Sequence, residues 1–320
     1  MEHTNLAHWQ STVCTLERVS APIHRHRLVV FGENLVNTPV DVVLKTILAQ
    51  GLKISAVVEF RPDSRLPSAL SFALESPKED INTQSKHLLR AAFSALELEV
   101  AVLFDAPQLT SPGLLVMDMD STAIQIECID EIARLANVYD EVAAVTKAAM
   151  LGQLAFSDSL KRRVAKLKGI DLSLLDTIRF ELPLMPGVEQ LCAVLKEHNW
   201  VLAIASGGFT LFAEQLRAPL NLDAIVANEL DFDGTALSGT VNGEIIDAEV
   251  KRRTLLELKA KYSLSDSQTV AIGDGANDLL MMDVAALGVA IHGKPKVVEE
   301  ADAAICKGSL LQMLYFLTTP

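Results

Sequence analysis

The chain has 320 residues, half of them apolar, which is long enough for two domains with a sizeable core and excludes general disorder. Its 28 Lys and Arg against 41 Asp and Glu leave a net charge of −13, so the sequence points away from a nucleic-acid partner and from a polybasic membrane patch. Most of that acidic excess falls beyond residue 110, and a region so charged needs a cation if it handles an anionic substrate. The four cysteines, Cys14, Cys128, Cys192 and Cys306, lie far apart with no CxxC pair, which argues against structural zinc and a disulfide framework. The N-terminus lacks a secretory pattern, and no apolar run reaches the ~18 residues of a spanning helix. A reduced, cytoplasmic protein is expected, with no membrane partner.

Residues 1–26 read as a loosely attached entry segment. Regular patterning then begins with a strand at 28–31, a helix at 39–50, strands at 53–60 and 68–74, a helix at 82–96 and a strand at 97–104. That order is βαββαβ, an α+β, ferredoxin-like arrangement over residues 27–108. The stretch 105–113, with two prolines and a glycine, is the natural boundary before a second domain at 109–320. In that domain, short apolar runs at 114–117, 201–205, 224–226, 270–272 and 289–291 suit the buried strands of a doubly wound, Rossmann-like parallel sheet. More than 80 residues separate the first two strands, far beyond a simple crossover, and they hold helical patterns at 128–136, 140–151, 157–168 and 172–180. We therefore expect an inserted helical cap over about 127–185. Asp-Gly and Asn-Gly signals within 231–246 predict a hairpin or flap.

Ligands of open α/β sheets bind at the carboxyl ends of strands, and three of these strand ends carry chemistry. The first runs into Asp118-Met119-Asp120-Ser121-Thr122, two carboxylates where a lone Asp would more simply cap a helix. Another gives Gly273-Asp274-Gly275-Ala276-Asn277-Asp278, hard oxygen donors with no thiolate or imidazole beside them, which suit Mg²⁺. Asp278 stands where a dinucleotide fingerprint requires glycine, so the loop is not of that type. The third, Ser206-Gly207-Gly208-Phe209, offers a hydroxyl and flexible backbone N–H groups as an anion cradle, though an ordinary helix cap has the same composition. Lys251 lies in a basic run that would usually be a solvated helix face. Asp231-Phe232-Asp233-Gly234-Thr235 repeats the form Asp-x-Asp-x-Thr but belongs to the predicted flap.

Taken together, Asp118 to Thr122, Ser206 to Phe209, Lys251 and Gly273 to Asp278 resemble, in order and spacing, the four motifs of the haloacid dehalogenase-like phosphatases. Their wording is similar to the branch acting on phosphoserine, and the likeness extends through Glu127, the segment 152–156 and the segment 159–164. It covers about two-thirds of the chain. The resemblance implies an aspartyl-phosphate mechanism with Asp118 as nucleophile, Asp120 as general acid and base, and Lys251 neutralising charge. It implies that Mg²⁺ sits on Asp118, Asp274 and the backbone carbonyl of Asp120. Ser206, Gly207 and Asn277 would hold the phosphoryl group, and Asp278 would orient Lys251 or the outer shell of the metal. Glu127 would take the substrate ammonium, Arg163 its carboxylate, and Phe156 would close the pocket. The N-terminal module is similar to ACT-type amino-acid-binding domains, which implies either a serine effector or a homodimer contact. Phosphothreonine or phosphohomoserine as substrate, and an inactive regulatory body, are the alternatives.

Overall fold

The computed structural model describes residues 17–18 and 26–318, so most of the expected entry segment lies outside the described residues. Of that segment, β1 (Glu17–Arg18) pairs in parallel with the edge of the first sheet. The first lobe runs β2 (His26–Phe31), α1 (Val40–Ala49), β3 (Ile54–Phe60), β4 (Ala69–Leu74), α2 (Thr83–Ser94) and β5 (Glu99–Phe104). Its sheet has the order β1-β3-β4-β2-β5, in which β2 and β5, and β4 with both β2 and β3, are antiparallel. Alternation along the strands gives this sheet two apolar faces. Leu28, Val30, Phe72 and Val102 meet Val43, Ile47, Leu89 and Phe93 of the two helices. Val29, Phe31, Ala69 and Leu103 face the other way, into the core of the second lobe.

The second lobe begins with β6 (Leu114–Met117) and then leaves the sheet for α3 (Cys128–Leu135), α4 (Tyr139–Met150), α5 (Phe156–Lys166) and α6 (Leu172–Arg179). After α7 (Val188–Glu197) the chain continues through β7 (Val201–Phe209), α8 (Thr210–Leu216), β8 (Ala224–Asp233), β9 (Ala236–Asn242) and α9 (Ala248–Lys261). It ends with β10 (Thr269–Gly273), α10 (Leu279–Val284), β11 (Leu287–Ile291), α11 (Pro295–Glu300) and β12 (Ala303–Ile305). The sheet order is β12-β11-β10-β6-β7-β8-β9, parallel throughout except for the antiparallel β9. One face carries Leu115, Met117, Ile204, Ile272 and Val289. The opposite face carries Ala203, Ala205, Ala271, Ala290 and Ala304, whose small side chains let α9 and α10 approach closely.

Because β6 has β7 on one side and β10 on the other, the direction of winding reverses there, and the carboxyl ends of these strands open a crevice. The helices α3 to α6 are inserted after β6 on two crossing segments: Gln125 N–H donates to Pro183 O and Met185 N–H to Ala123 O, both at 2.8 Å. The flap formed by β8 and β9 meets this insert, with Leu172 N–H donating to Thr235 O at 2.7 Å and Leu237 N–H to Ile170 O at 2.8 Å. Asp231 lies within β8, so a strand runs through the second Asp-x-Asp sequence rather than ending before it.

The segment between β5 and β6 is fastened at several points. Gln268 Oε1 accepts from Gln108 N–H at 2.7 Å, and Trp200 Nε1 donates to Leu109 O at 2.9 Å. A Cβ at Gly113 would stand 2.9 Å from the Trp200 ring, so only glycine fits there. The final turn, 310–315, returns to the first lobe, where Phe31 packs on Tyr315 and Phe316 with ring centroids 5.2 and 5.5 Å apart.

Candidate active site

β6 hands the chain directly to Asp118, whose N–H donates to Ile272 O of β10 at 2.9 Å and whose side chain is buried. The helix α9, which lies between β9 and β10 in the chain, delivers Lys251. Its first turn is fixed by Asp247, whose Oδ1 accepts the N–H groups of Glu249 and Val250. The Lys251 ammonium lies 2.6 Å from Asp118 Oδ2 and 2.7 Å from Asp278 Oδ1, fully buried. Burial alone would lower its pKa, but the two carboxylates outweigh that and hold it above the ordinary lysine range. Asp278 Oδ2 accepts from Gly275 N–H at 3.0 Å. A Cβ at Gly273 would stand 2.3 Å from the Asp278 carboxyl, which explains glycine at that position.

Carboxylate oxygens of Asp118, Asp274 and Asp278 lie within 4.8 Å of one another. Oxygen donors gathered this closely fit a hard divalent cation. Two of the three, Asp118 and Asp274, are the side chains expected to hold the metal, and Asp278 stands beside them. Both Asp278 oxygens are already engaged by Lys251 and Gly275. Burial pushes Asp274 up to about 6, against the pull of Lys294, whose Nζ stands 3.8 Å from Asp274 Oδ2. The rise comes first from burial, with the charges of Asp118 and Glu127 adding to it.

On the cap side, Asp120 Oδ1 is buried with no hydrogen-bond partner. Burial, then the charges of Glu127 and Asp118, push its pKa well above the usual carboxylate range. Two neighbouring carboxyls thus differ, one in contact with the Lys251 ammonium and the other favouring its proton. Ser121, at φ +56°, turns the chain toward the cap and donates from Oγ to Glu127 Oε1 at 2.9 Å. Glu127 remains open to solvent on one side, yet burial of the rest raises its pKa, with Asp118 adding to the effect. Arg163, on α5, has a buried Nε without a partner. Burial lowers its pKa while Asp130, Glu127 and Asp120 draw it back up, so its guanidinium shares a field with the acid pair. Phe156 opens α5 and roofs the cradle: a Cβ at Gly207 would stand 2.9 Å from its Cζ.

In the cradle, Ser206 is buried and its Oγ accepts from Gly208 N–H at 2.9 Å. A Cβ at Gly208 would stand 2.7 Å from Met119 Cε and 3.0 Å from Asp120 Oδ2. Asn277, on the turn 276–278, folds its Oδ1 back over Gly275.

Residues 113–285 match the family model described as haloacid dehalogenase-like hydrolase. The chain is 48% identical over 223 residues to a phosphoserine phosphatase of Haemophilus influenzae, covering 70% of this chain and 71% of that one. It is 52% identical over 211 residues to a phosphoserine phosphatase of Vibrio cholerae, covering 66% of this chain and 64% of the relative. A crystal structure of a probable phosphoserine phosphatase from Vibrio cholerae superposes with a TM-score of 0.74 at 40% identity, over 94% of this chain and 89% of that one. This chain belongs to the phosphoserine phosphatases of the haloacid dehalogenase-like hydrolases.

Some residues that shape the site of this phosphoserine phosphatase carry no signal in its sequence. Lys294 follows a strand end in an ordinary-looking turn, and Ser121 is overshadowed by its acidic neighbours. Asn228 sits within β8, buried, and holds Gly207 O from its Nδ2 at 2.9 Å. A buried amide requires partners, and those of Asn228 come from distant parts of the chain.

Proposed function

We propose that the chain hydrolyses O-phospho-L-serine to L-serine and phosphate, the last step of serine biosynthesis, through an aspartyl-phosphate on Asp118. The observation that carries this reading is the pairing of Asp118, 2.6 Å from the Lys251 ammonium, with a neighbouring Asp120 whose buried carboxyl favours its proton. The Asp118 carboxylate bonds to phosphorus as the bond to the serine oxygen breaks, and Asp120 gives that oxygen its proton. Asp120 then takes a proton from water as the water oxygen attacks phosphorus and Asp118 is released. Ser206, Gly207 and Asn277 hold phosphoryl oxygens, Lys251 offsets their charge, and Asp278 orients Lys251. Asp118, Asp274 and the Asp120 carbonyl would hold Mg²⁺, which supplies charge neutralisation at the phosphoryl oxygens.

Glu127 receives the substrate ammonium and Arg163 its carboxylate, for which a planar guanidinium suits both oxygens. Phe156 closes over them when the cap, residues 127–185, excludes water. Phosphate release from L-phosphoserine, phosphothreonine, phosphohomoserine and an aryl phosphate, with and without chelator, tests the proposal. A strong preference for phosphoserine that chelator abolishes supports it, and activity confined to another ester removes the assignment of the cap.

We read residues 27–108 as an ACT-type regulatory domain joined to a catalytic domain at 109–320. A cavity of about 450 Å³ at the seam of the two lobes, bordered by Asn34, Arg90, Glu99, Lys307 and Gln312, is the candidate place for a serine effector, although Arg90 and Glu99 are bonded to main-chain groups there. Serine that changes neither the melting temperature nor the activity would leave dimerisation as the role of this domain. Three cysteines, Cys128, Cys192 and Cys306, are free thiols, in keeping with a cytoplasmic home. Among the described residues, no helix is long and apolar enough to cross a membrane.

A further inference from the structure

We infer that Asn228 is a positioning residue that aims the Ser206 hydroxyl at the phosphoryl group. The inference rests on the proposed role of Ser206 in holding that group. Asn228 is 1% exposed and lies where β8 leaves β7 to become the flap; its last register partner on β7 is Phe209. Its amide is held at both ends: Nδ2 donates to Gly207 O at 2.9 Å, and Oδ1 accepts from Ile246 N–H at 3.0 Å. These two partners allow one orientation only, because a flipped amide would set oxygen against oxygen and N–H against N–H.

The peptide joining Gly207 to Gly208 is therefore pinned twice. Its carbonyl accepts from Asn228, and its N–H donates to Ser206 Oγ at 2.9 Å. With that oxygen already accepting, the Ser206 O–H proton is left to donate away from the main chain, toward the cradle. The chain Asn228 N–H, Gly207 C=O, Gly208 N–H, Ser206 O–H is a run of hydrogen bonds in one direction, in which each bond polarises the next. A side chain at Gly208 would crowd this arrangement, since a Cβ there would stand 2.7 Å from Met119 Cε and 3.2 Å from Ser206 Oγ. At its other end the amide fixes Ile246, one residue before the Asp247 cap of the helix carrying Lys251. One buried amide thus ties the phosphoryl cradle to the entry of α9.

The test is a double-mutant cycle on the full chain, read by kcat/KM for phosphoserine and by the inhibition constant of inorganic phosphate. Asn228→Asp keeps the acceptor for Ile246 but faces Gly207 O with a carboxyl oxygen; Asn228→Ala removes both bonds. Each is expected to lower kcat/KM about 10-fold or more and to weaken phosphate binding, the size of a lost buried hydrogen bond. In a Ser206→Ala background the Asn228→Asp change, which keeps the Ile246 bond, should cost less than about 2-fold. Melting curves identify any variant that fails to fold, and Asn228→Asp, which is nearly isosteric, is the arm expected to keep the parental fold. A Ser206→Ala variant with parental activity would remove the role of Ser206 itself. A large Ser206 effect to which the Asn228 effect simply adds would overturn the positioning role alone.

Discussion

The Lys251 ammonium lies midway between two buried carboxylates, 2.6 Å from Asp118 and 2.7 Å from Asp278. One cation is shared by two carboxyls, and with Asp274 nearby their oxygens form a cluster that fits a divalent cation. Lys251→Met should therefore damage both activity and fold. Loss of a pre-oriented charge is expected to lower kcat by about 10²–10³. The two carboxylates left behind should cost about 3–5 kcal/mol of stability. Lys251→Arg should not restore the parent, because the side chain has no exposed surface into which a larger group can extend. Urea melts and initial rates on the two variants check both effects.

Asp120 should weigh against stability. Its folded pKa is raised, so the folded protein keeps a proton that an unfolded carboxyl, with a pKa of about 3.9, gives up. The penalty is absent below the unfolded pKa, grows as pH rises, and levels off above the folded pKa. Asp120→Asn should consequently melt higher than the parent near about pH 8, with a gain that fades toward about pH 4, while turnover is lost. A gain that does not vary with pH would contradict this account of the buried carboxyl.

The contact between Gly207 and Phe156 predicts a separable effect on the cap. In Gly207→Ala the new methyl meets the far end of the Phe156 ring, so the cap should shift rather than the sheet. A several-fold rise in KM is expected, with a change in stability within about 1 kcal/mol. A fall in kcat with an unchanged KM would place the disturbance in the cradle instead.

Arg163→Ala should discriminate between substrates. Removing a guanidinium that pairs with a carboxylate costs about 1.5–3 kcal/mol, or roughly 10- to 100-fold in kcat/KM for phosphoserine. An aryl phosphate, which lacks that carboxylate, should lose little. Equal losses on the two substrates would remove the assignment.

The lobes are joined by Arg27, which is fully buried in β2 and donates to Phe316 O at 2.8 Å and Leu317 O at 3.0 Å, with a longer contact to Tyr315 O. Arg27→Met would strand these carbonyls at the seam, at a cost of about 2–4 kcal/mol in a urea melt. A change below about 0.5 kcal/mol would mean the aromatic contacts of Phe31 carry the junction.

Much of this architecture is legible because buried parallel strands are short apolar runs and each site motif begins where a run ends. Residues 114–117 have the bounds expected, and Asn82, the first residue of the predicted helix, caps α2 by accepting from Ser85 N–H. The limits are equally physical. β7 continues through Gly207 and Gly208 to Phe209, where glycines erase the strand signal. β12 has three residues, too few for any period, and β1 has two. In the site, charged motifs could be read from residue type and order. Asn228 and Lys294 could not, because their work depends on neighbours brought together only by folding.

The central claim is that Asp118 carries the phosphoryl group, and the most direct measurement is to trap it. Acid quenching during turnover of phosphoserine, followed by borohydride reduction and peptide mass spectrometry, should convert Asp118 to homoserine, and Asp118→Asn should yield no such product. Turnover with no modified Asp118 peptide, or with the phosphoryl group on another residue such as Ser206, would contradict the account.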